Sequence, residues 1–248
     1  MMPWNAEDLT FDESRFHGKA RLFPLTDFVL FPHVMQPLHI FEPRYLELLR
    51  EALDSDGLIA MGVPVAAWTG DPGAAPLRSA ACLGKVVTHQ RRKNGRYNLL
   101  LLGVRRLRIV RELPGSRPFR EAEVALVDDV YPPAGVERRE TLQSELCELF
   151  QQFLPEGFSE DDSVAKLLTA EASLGALTDL VSFAAPLPHP VKCDMLAQTD
   201  VDLRAAALCG ALARHAQRGA SDEIGDAPPG PAPDGARRRR FPPPFSTN

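Results

Sequence analysis

Cysteine is scarce and scattered in this sequence. Its four residues, Cys82, Cys147, Cys193 and Cys209, stand far apart, with no C-x-x-C pair among them. That spacing argues against a disulfide frame or a zinc knuckle and fits reduced, buried thiols, so the cytoplasm is the expected compartment. Long hydrophobic runs are missing too. The densest, Leu99 to Leu102, stops at Gly103 and meets arginines at once, far short of the roughly 20 apolar residues that span a bilayer. The first residues, "MMPWNAEDLTFDESRF", are acidic and lack the apolar centre of a secretory signal. Catalytic signatures are absent as well. There is no G-x-x-x-x-G-K-[ST] phosphate loop, no G-x-S-x-G elbow and no H-E-x-x-H pair. His39 and Glu42 have a spacing that suits a metal only on a helix, and here they lie on an extended segment before Pro43. His33, after Phe31-Pro32, reads as a turn residue with no nucleophile to serve. The pairs Asp128-Asp129 and Asp161-Asp162 read as a strand end and a helix N-terminal cluster. No catalytic residue, cofactor or metal is expected, and the chain is not expected to be an enzyme.

What is present is an ordinary globular composition, 44% apolar and 25% charged, with an uneven distribution of charge. Between His89 and Arg120 there are ten Lys or Arg and one acid, Glu112, a local balance of +9 that leaves −14 on the remaining residues of a chain whose net charge is −5.

Periodicity divides the chain into four zones: a loose arm over 1–20, a β-rich unit over 21–130, a helical bundle over 131–218, and a disordered Pro/Arg-rich tail over 219–248. In the second zone "LGKVVTHQRRKNGRYNLLLLG" holds two strands around Asn94-Gly95, a strong hairpin signal. The next run places Leu107, Ile109 and Leu113 on one face and Arg106, Arg108 and Glu112 on the other. A helix is predicted from Pro43 to Leu53, with Tyr45, Leu48, Leu49 and Ala52 as its inner stripe. Beyond Pro132-Pro133 the period becomes helical. Leu142, Leu146, Leu149, Phe150 and Phe153 mark one helix, and others are predicted over Ser163–Thr169, Leu174–Ala185 and Val191–Gln198, with a last one capped by Thr199. The fold class is therefore α+β, and so apolar a sheet should be closed or nearly so.

Two stretches invite a functional reading. Arg91, Arg92, Lys93 and Arg96 crowd the hairpin tip, and Tyr97 beside them is a potential stacking platform for a base. The competing reading is a solvated hairpin end whose charges protect strand edges. Arg237 to Arg240 add a second, short basic cluster in the tail. The other stretch, Leu22 to Tyr45, is strongly apolar but broken by Pro24, Pro32, Pro37 and Pro43. Proline at those intervals excludes a helix and leaves short strands with turns between them.

That stretch, "LFPLTDFVLFPHVMQPLHIFEPRYLELLREAL", resembles the opening of the N-terminal, substrate-binding domain of Lon proteases. "NGRYNLLLLGVRRLRI" is similar to the family's hairpin with its leucine-x-Gly-x-x-Arg strand. "PFREAEV" resembles its Pro-Tyr-x-x-Ala strand, with Phe119 in place of tyrosine, and "LAQTDVDLR" its Leu-x-x-x-Asp-x-x-x-Arg helix opening. The similarity runs from about Arg21 to Arg214. It implies a PUA-like β-barrel or pseudobarrel with a helical bundle attached, and a role in engaging polypeptide segments or a partner protein. Lon proteases continue into an ATPase module and a serine–lysine peptidase. No motif of either occurs in this sequence, so the resemblance carries over no catalytic residue. PUA-like barrels also bind RNA, which makes a nucleic-acid module using the 89–120 segment the alternative. With period two, Met35, His39 and Phe41 share one side of the proline-broken stretch and Gln36, Leu38 and Ile40 the other. If the more continuously apolar side faces the barrel, Met35, His39 and Phe41 form the expected peptide-binding face. The opposing expectation buries Met35 and Phe41 beneath the helical half.

Overall fold

The computed structural model describes residues 11–65, 74–115, 117–153 and 172–224, with the side chains of 218–224 left undescribed. The stretch Ser163–Thr169, Asp161-Asp162 and the tail arginines lie outside the described residues. Among the described residues six strands form one mixed sheet: β1 (Lys19–Pro24), β2 (Met35–Ile40), β3 (Leu58–Gly62), β4 (Ala80–Arg91), β5 (Tyr97–Leu113) and β6 (Arg120–Val127). Their order is β2-β5-β4-β3-β1-β6, with β1 and β3 parallel and the other pairings antiparallel. A further pairing of β5 with β6 closes five of the strands into a ring. The closure depends on the length of β5, 17 residues. Its first half carries β2 on one edge, and its second half turns to meet β6. The result is a pseudobarrel in which β2 stands outside the ring.

Small and large side chains alternate inside that ring. Ala20, Ala60, Ala81 and Ala122 interleave with Leu22, Leu58, Leu83, Leu107 and Val124, all buried, the packing that a narrow barrel needs. The arm expected to be loose is attached to it over 11–20. Phe11 and Phe16 pack against this inner cluster, and Glu13 pairs with Arg105 at 2.6 Å.

The opposite face of the sheet meets the helices. α1 (Pro43–Leu53) begins with proline at its first turn, where no N–H is missed, and buries Tyr45, Leu48, Leu49 and Ala52. The bundle contains α2 (Arg139–Gln151), α3 (Leu174–Ala184), α4 (His189–Ala197) and α5 (Val201–Ile224). One apolar cluster runs through both halves, joining Phe31, Ile40, Cys82 and Leu101 to Leu146, Leu177, Leu196 and Leu208. Asp200, not Thr199, caps α5: its carboxylate accepts the Leu203 N–H at 3.0 Å. α5 also continues to Ile224, past the boundary expected at 218.

A bulge in β5 changes the face that side chains choose. Leu83 pairs with Arg105 while the next residue, Gly84, pairs with Gly103, so β5 holds one residue more than its partner there. Before the bulge Leu99 and Leu101 face the helices. After it Leu107 faces the ring interior and Arg106 faces the helices, 4% exposed. Arg106 thus lies on the face opposite Leu107, as the alternation predicts, but that face meets the helical bundle at this point, where Asp179 and the Leu196 carbonyl receive it. Gly103 itself is required. A side chain there would overlap the Phe31 carbonyl, because the Phe31-Pro32-His33 turn is stitched to the strand by His33 N–H to Gly103 O and Gly103 N–H to Val34 O, at 2.8 and 2.9 Å. His33 is a turn residue as expected, with φ of 66°.

Candidate functional site

Among the described residues β2 has one neighbouring strand only. It pairs with β5 in register Met35 with Leu102, Pro37 with Leu100, and His39 with Asn98. Its even residues turn inward: Ile40 is 3% exposed and Leu38 packs on the helix-facing core. Its odd residues turn out. Met35 is 47% exposed, Phe41 55%, and His39 is exposed between them. The expectation that Met35 and Phe41 are buried beneath the helices therefore fails, and the outward alternative describes them. Leu100 and Leu102, half-buried, extend this face sideways across β5. A strip of Met35, Pro37, Leu100, Leu102 and Phe41 thus lies over β2, the residue that follows it, and β5.

The far end of the strip is polar and cationic. The His39 ring lies against that of Phe41, with centroids 5.9 Å apart and planes 28° apart, and its Nδ1 is 2.6 Å from Asn98 Oδ1. The Arg96 guanidinium sits 5.8 Å from the Phe41 centroid. Arg96 belongs to the hairpin tip, closed by Arg92 N–H to Arg96 O at 2.8 Å and by Gly95 at φ 80°. Only glycine reaches that backbone conformation cheaply. The tip arginines and Lys93 are exposed, and none of Arg91, Arg92, Lys93 and Arg96 meets a carboxylate among the described residues.

Five of the six other basic residues of the segment are neutralised in place, and the sixth, Arg108, is exposed. Arg105 meets Asp128 and Glu13, Arg106 meets Asp129 and Asp179, Arg111 meets Glu123, Arg117 meets Glu51, and Arg120 meets Glu112. Distant acids answer what looks in the sequence like a +9 surface. Tyr97 is also no stacking platform: it is 9% exposed and belongs to the core. Among the described residues no cluster of three or more His, Cys, Asp or Glu is placed to hold a metal.

The densest polar arrangement was missed by reading the sequence, and it is structural. Arg106 donates to Asp179 Oδ2 at 2.9 Å, Asp129 Oδ1 at 3.2 Å and the Leu196 carbonyl at 3.2 Å. Arg204 grips Asp129 with both terminal nitrogens at 2.9 and 2.7 Å, and reaches Thr178 Oγ1 at 2.8 Å and the Gln198 carbonyl at 2.8 Å. Burial alone would lower the Arg106 pKa, but the Asp179 carboxylate beside it more than offsets this and raises it. Every charge here has its counter-charge, and Asp179 and Arg204 are fully buried. Such a network holds elements together; it has no group free to act on a substrate. Asp129, expected to be a plain strand-end acid, is its hub. Burial pushes the neighbouring Cys82 thiol well up, so it is no nucleophile.

A profile of the ATP-dependent protease La (LON) substrate-binding domain matches residues 19–214. The chain belongs to the Lon substrate-binding domain family. It is 27% identical to Lon protease 2 of Myxococcus xanthus over 189 residues, covering 74% of this chain and 22% of that protease. With the Lon protease of Koribacter versatilis it shares 27% over 194 residues, 78% of this chain and 24% of that one. The chain thus spans about a fifth of the length of the curated relatives it matches. Among solved structures it is similar to the N-terminal domain of a Mycobacterium avium complex Lon protease, with TM-score 0.64 and 18% identity over 79% of this chain and 99% of that one. It also resembles a Lon N-terminal domain protein from Xanthomonas campestris, with TM-score 0.56 and 20% identity over 77% and 97%. These likenesses establish the α+β fold, and the matched region is the non-catalytic part of a Lon protease. Seen in the structure, the motif residues that resemble the Lon family are architectural. Gly103 admits the Phe31 turn, Arg106 and Arg204 sit in the buried network, and Asp200 caps α5. Among the described residues no helix is long and apolar enough to cross a membrane.

Proposed function

We propose that this chain recognises polypeptide through the outward face of β2, with Met35 and Phe41 as its apolar contacts and His39 between them. The observation that carries the proposal is the exposure of Met35 and Phe41 at the two ends of an apolar strip, in a domain of the Lon substrate-binding family. A flexible thioether and an aromatic ring adapt to many apolar side chains, which suits a binder that takes unrelated clients. The chain's part is capture, not chemistry, and a partner protein would be engaged by the same contacts.

An RNA-binding reading rests on the hairpin tip and the exposed Arg108 once the other arginines of the segment are spent on internal pairs and Tyr97 is in the core. Single-strand recognition draws on stacked aromatics as well as charge; the tip's own aromatic, Tyr97, is buried, and the exposed rings near Arg96 are Phe41 and His39 of the apolar strip. The two readings separate in one titration. Binding of a reduced, carboxymethylated polypeptide, followed by fluorescence anisotropy, should persist from low to high salt. Binding of single-stranded RNA should be weak and fall steeply with salt. Tight, salt-resistant RNA binding with no polypeptide binding would overturn the proposal.

A further inference from the structure

The outer edge of β2 is an open half of a ladder. Gly103 donates to the Val34 carbonyl, so the backbone groups of residue 34, and by alternation those of Gln36, Leu38 and Ile40, point at β5. Those of Met35, Pro37 and His39 then point away from it, and among the described residues no strand or turn pairs with them. Proline stands at the middle one of these three outward positions, where it has no N–H to offer, and the Gln36 side chain already donates to the Pro37 carbonyl at 2.9 Å. The edge therefore presents donor and acceptor at Met35, no donor and a carbonyl already engaged by Gln36 at Pro37, and donor and acceptor again at His39. The interruption guards against open-ended sheet growth while leaving two docking points four residues apart, roughly 13 Å along a strand.

We infer that β2 takes its ligand by strand addition, and that the ligand is a short extended peptide with apolar residues at alternate positions and acidic residues at one end. The inference rests on the reading that this face binds polypeptide, and adds how and which. Side chains on one face of an added strand fall beside Met35, Pro37 and His39, continuing the strip of Leu100 and Leu102. Beyond His39 that strand runs out beside Phe41 and Arg96, where Arg91, Arg92 and Lys93 share the same hairpin tip. Acidic residues complement those cations, which have no carboxylate partner among the described residues. Main-chain bonds supply affinity without reading sequence, and the alternate apolar contacts and the charged end supply preference.

The test uses the whole chain and fluorescein-labelled octapeptides of alternating valine and threonine, extended at one end by two glutamates or by two lysines. Residue-resolved amide exchange by NMR is recorded with and without peptide. In the free chain the Met35 and His39 amides should exchange fast and those of Gln36, Leu38 and Ile40 slowly. The glutamate peptide should slow Met35 and His39 at least about tenfold and bind about tenfold tighter than the lysine peptide at low salt, some 1.4 kcal/mol. Replacing Arg91, Arg92, Lys93 and Arg96 by Glu should reverse that preference. Slow exchange at Met35 and His39 in the free chain would mean that the chain covers its own edge, and would overturn the inference. So would peptide binding that leaves both amides fast, or equal affinity for the two peptides; the reading of the face as a polypeptide site would survive either result. Failure of both peptides and of a carboxymethylated polypeptide to bind would remove that reading itself.

Discussion

Arg106, on the longest strand, and Asp179, on the third helix, form an ion pair sealed from solvent that ties the sheet to the helical bundle. Taking one charge out of such a pair leaves the other buried and unmatched, which costs about 3–5 kcal/mol. Arg106→Met should therefore destabilise the chain by that amount in urea denaturation. Asp179→Asn should do nearly as much, since Arg106 and Arg204 would share Asp129 alone. A loss under about 1 kcal/mol for both would show that the network does not couple the two halves.

Two glycines make a matched comparison. Gly103→Ala forces a methyl group onto the Phe31 carbonyl, a backbone atom that cannot swing aside, and should cost at least about 3 kcal/mol or prevent folding. Gly95→Ala meets nothing within 4 Å and is strained only by its φ of 80°, so about 1 kcal/mol is expected. Thermal unfolding of the pair measures both, and equal losses would contradict the packing described for the Phe31 turn.

Lys192 gives a pH dependence. Burial lowers its pKa to about 8, and its Nζ donates to the Phe183 carbonyl at 2.6 Å. Between about 8 and the ordinary 10.5 the unfolded chain binds this proton more readily than the folded one. Its contribution to stability therefore rises with pH through that window, and the penalty is fully present below it. Relative to wild type, Lys192→Met should be more stable near pH 7, by on the order of 1–3 kcal/mol, and the advantage should shrink toward pH 10. Parallel stability curves for the two proteins would refute the assignment.

The hairpin tip should be dispensable for folding. Exposed charges contribute under about 1 kcal/mol each, so replacing Arg91, Arg92, Lys93 and Arg96 by Glu should leave the melting temperature within a few degrees. A large loss would mean that the tip is packed against something.

Local signals were readable in the sequence wherever the interaction is local. Asn94-Gly95 marked the hairpin, Pro43 and the Tyr45–Ala52 stripe marked α1, and the 3.6 period marked α2 and α3. Side-chain direction in β2 followed from strict alternation, because β2 has no bulge. In β5 alternation set Arg106 opposite Leu107 correctly, but no local signal shows that the bundle covers that face, since Asp179 lies 73 positions away. Asp129 was opaque for the same reason. Its partners Arg106 and Arg204 lie 23 and 75 positions away, and no local pattern announces a pair at that distance. The +9 segment misled in the same way, since the acids that answer it, such as Glu13, Glu51 and Asp179, stand outside it.

The central claim is that Met35 and Phe41 bind polypeptide and do not hold the fold. Both are about half exposed, and exposed apolar residues away from special features change stability by only about 0.5 kcal/mol when replaced. The decisive measurement is the Met35→Ser, Phe41→Ser double variant, assayed for melting temperature and for affinity toward a reduced, carboxymethylated polypeptide. The account predicts a melting temperature within a few degrees of wild type and loss of most of the affinity. A variant that binds as tightly as wild type would contradict it, and so would one destabilised by the 2–5 kcal/mol that each buried large side chain contributes.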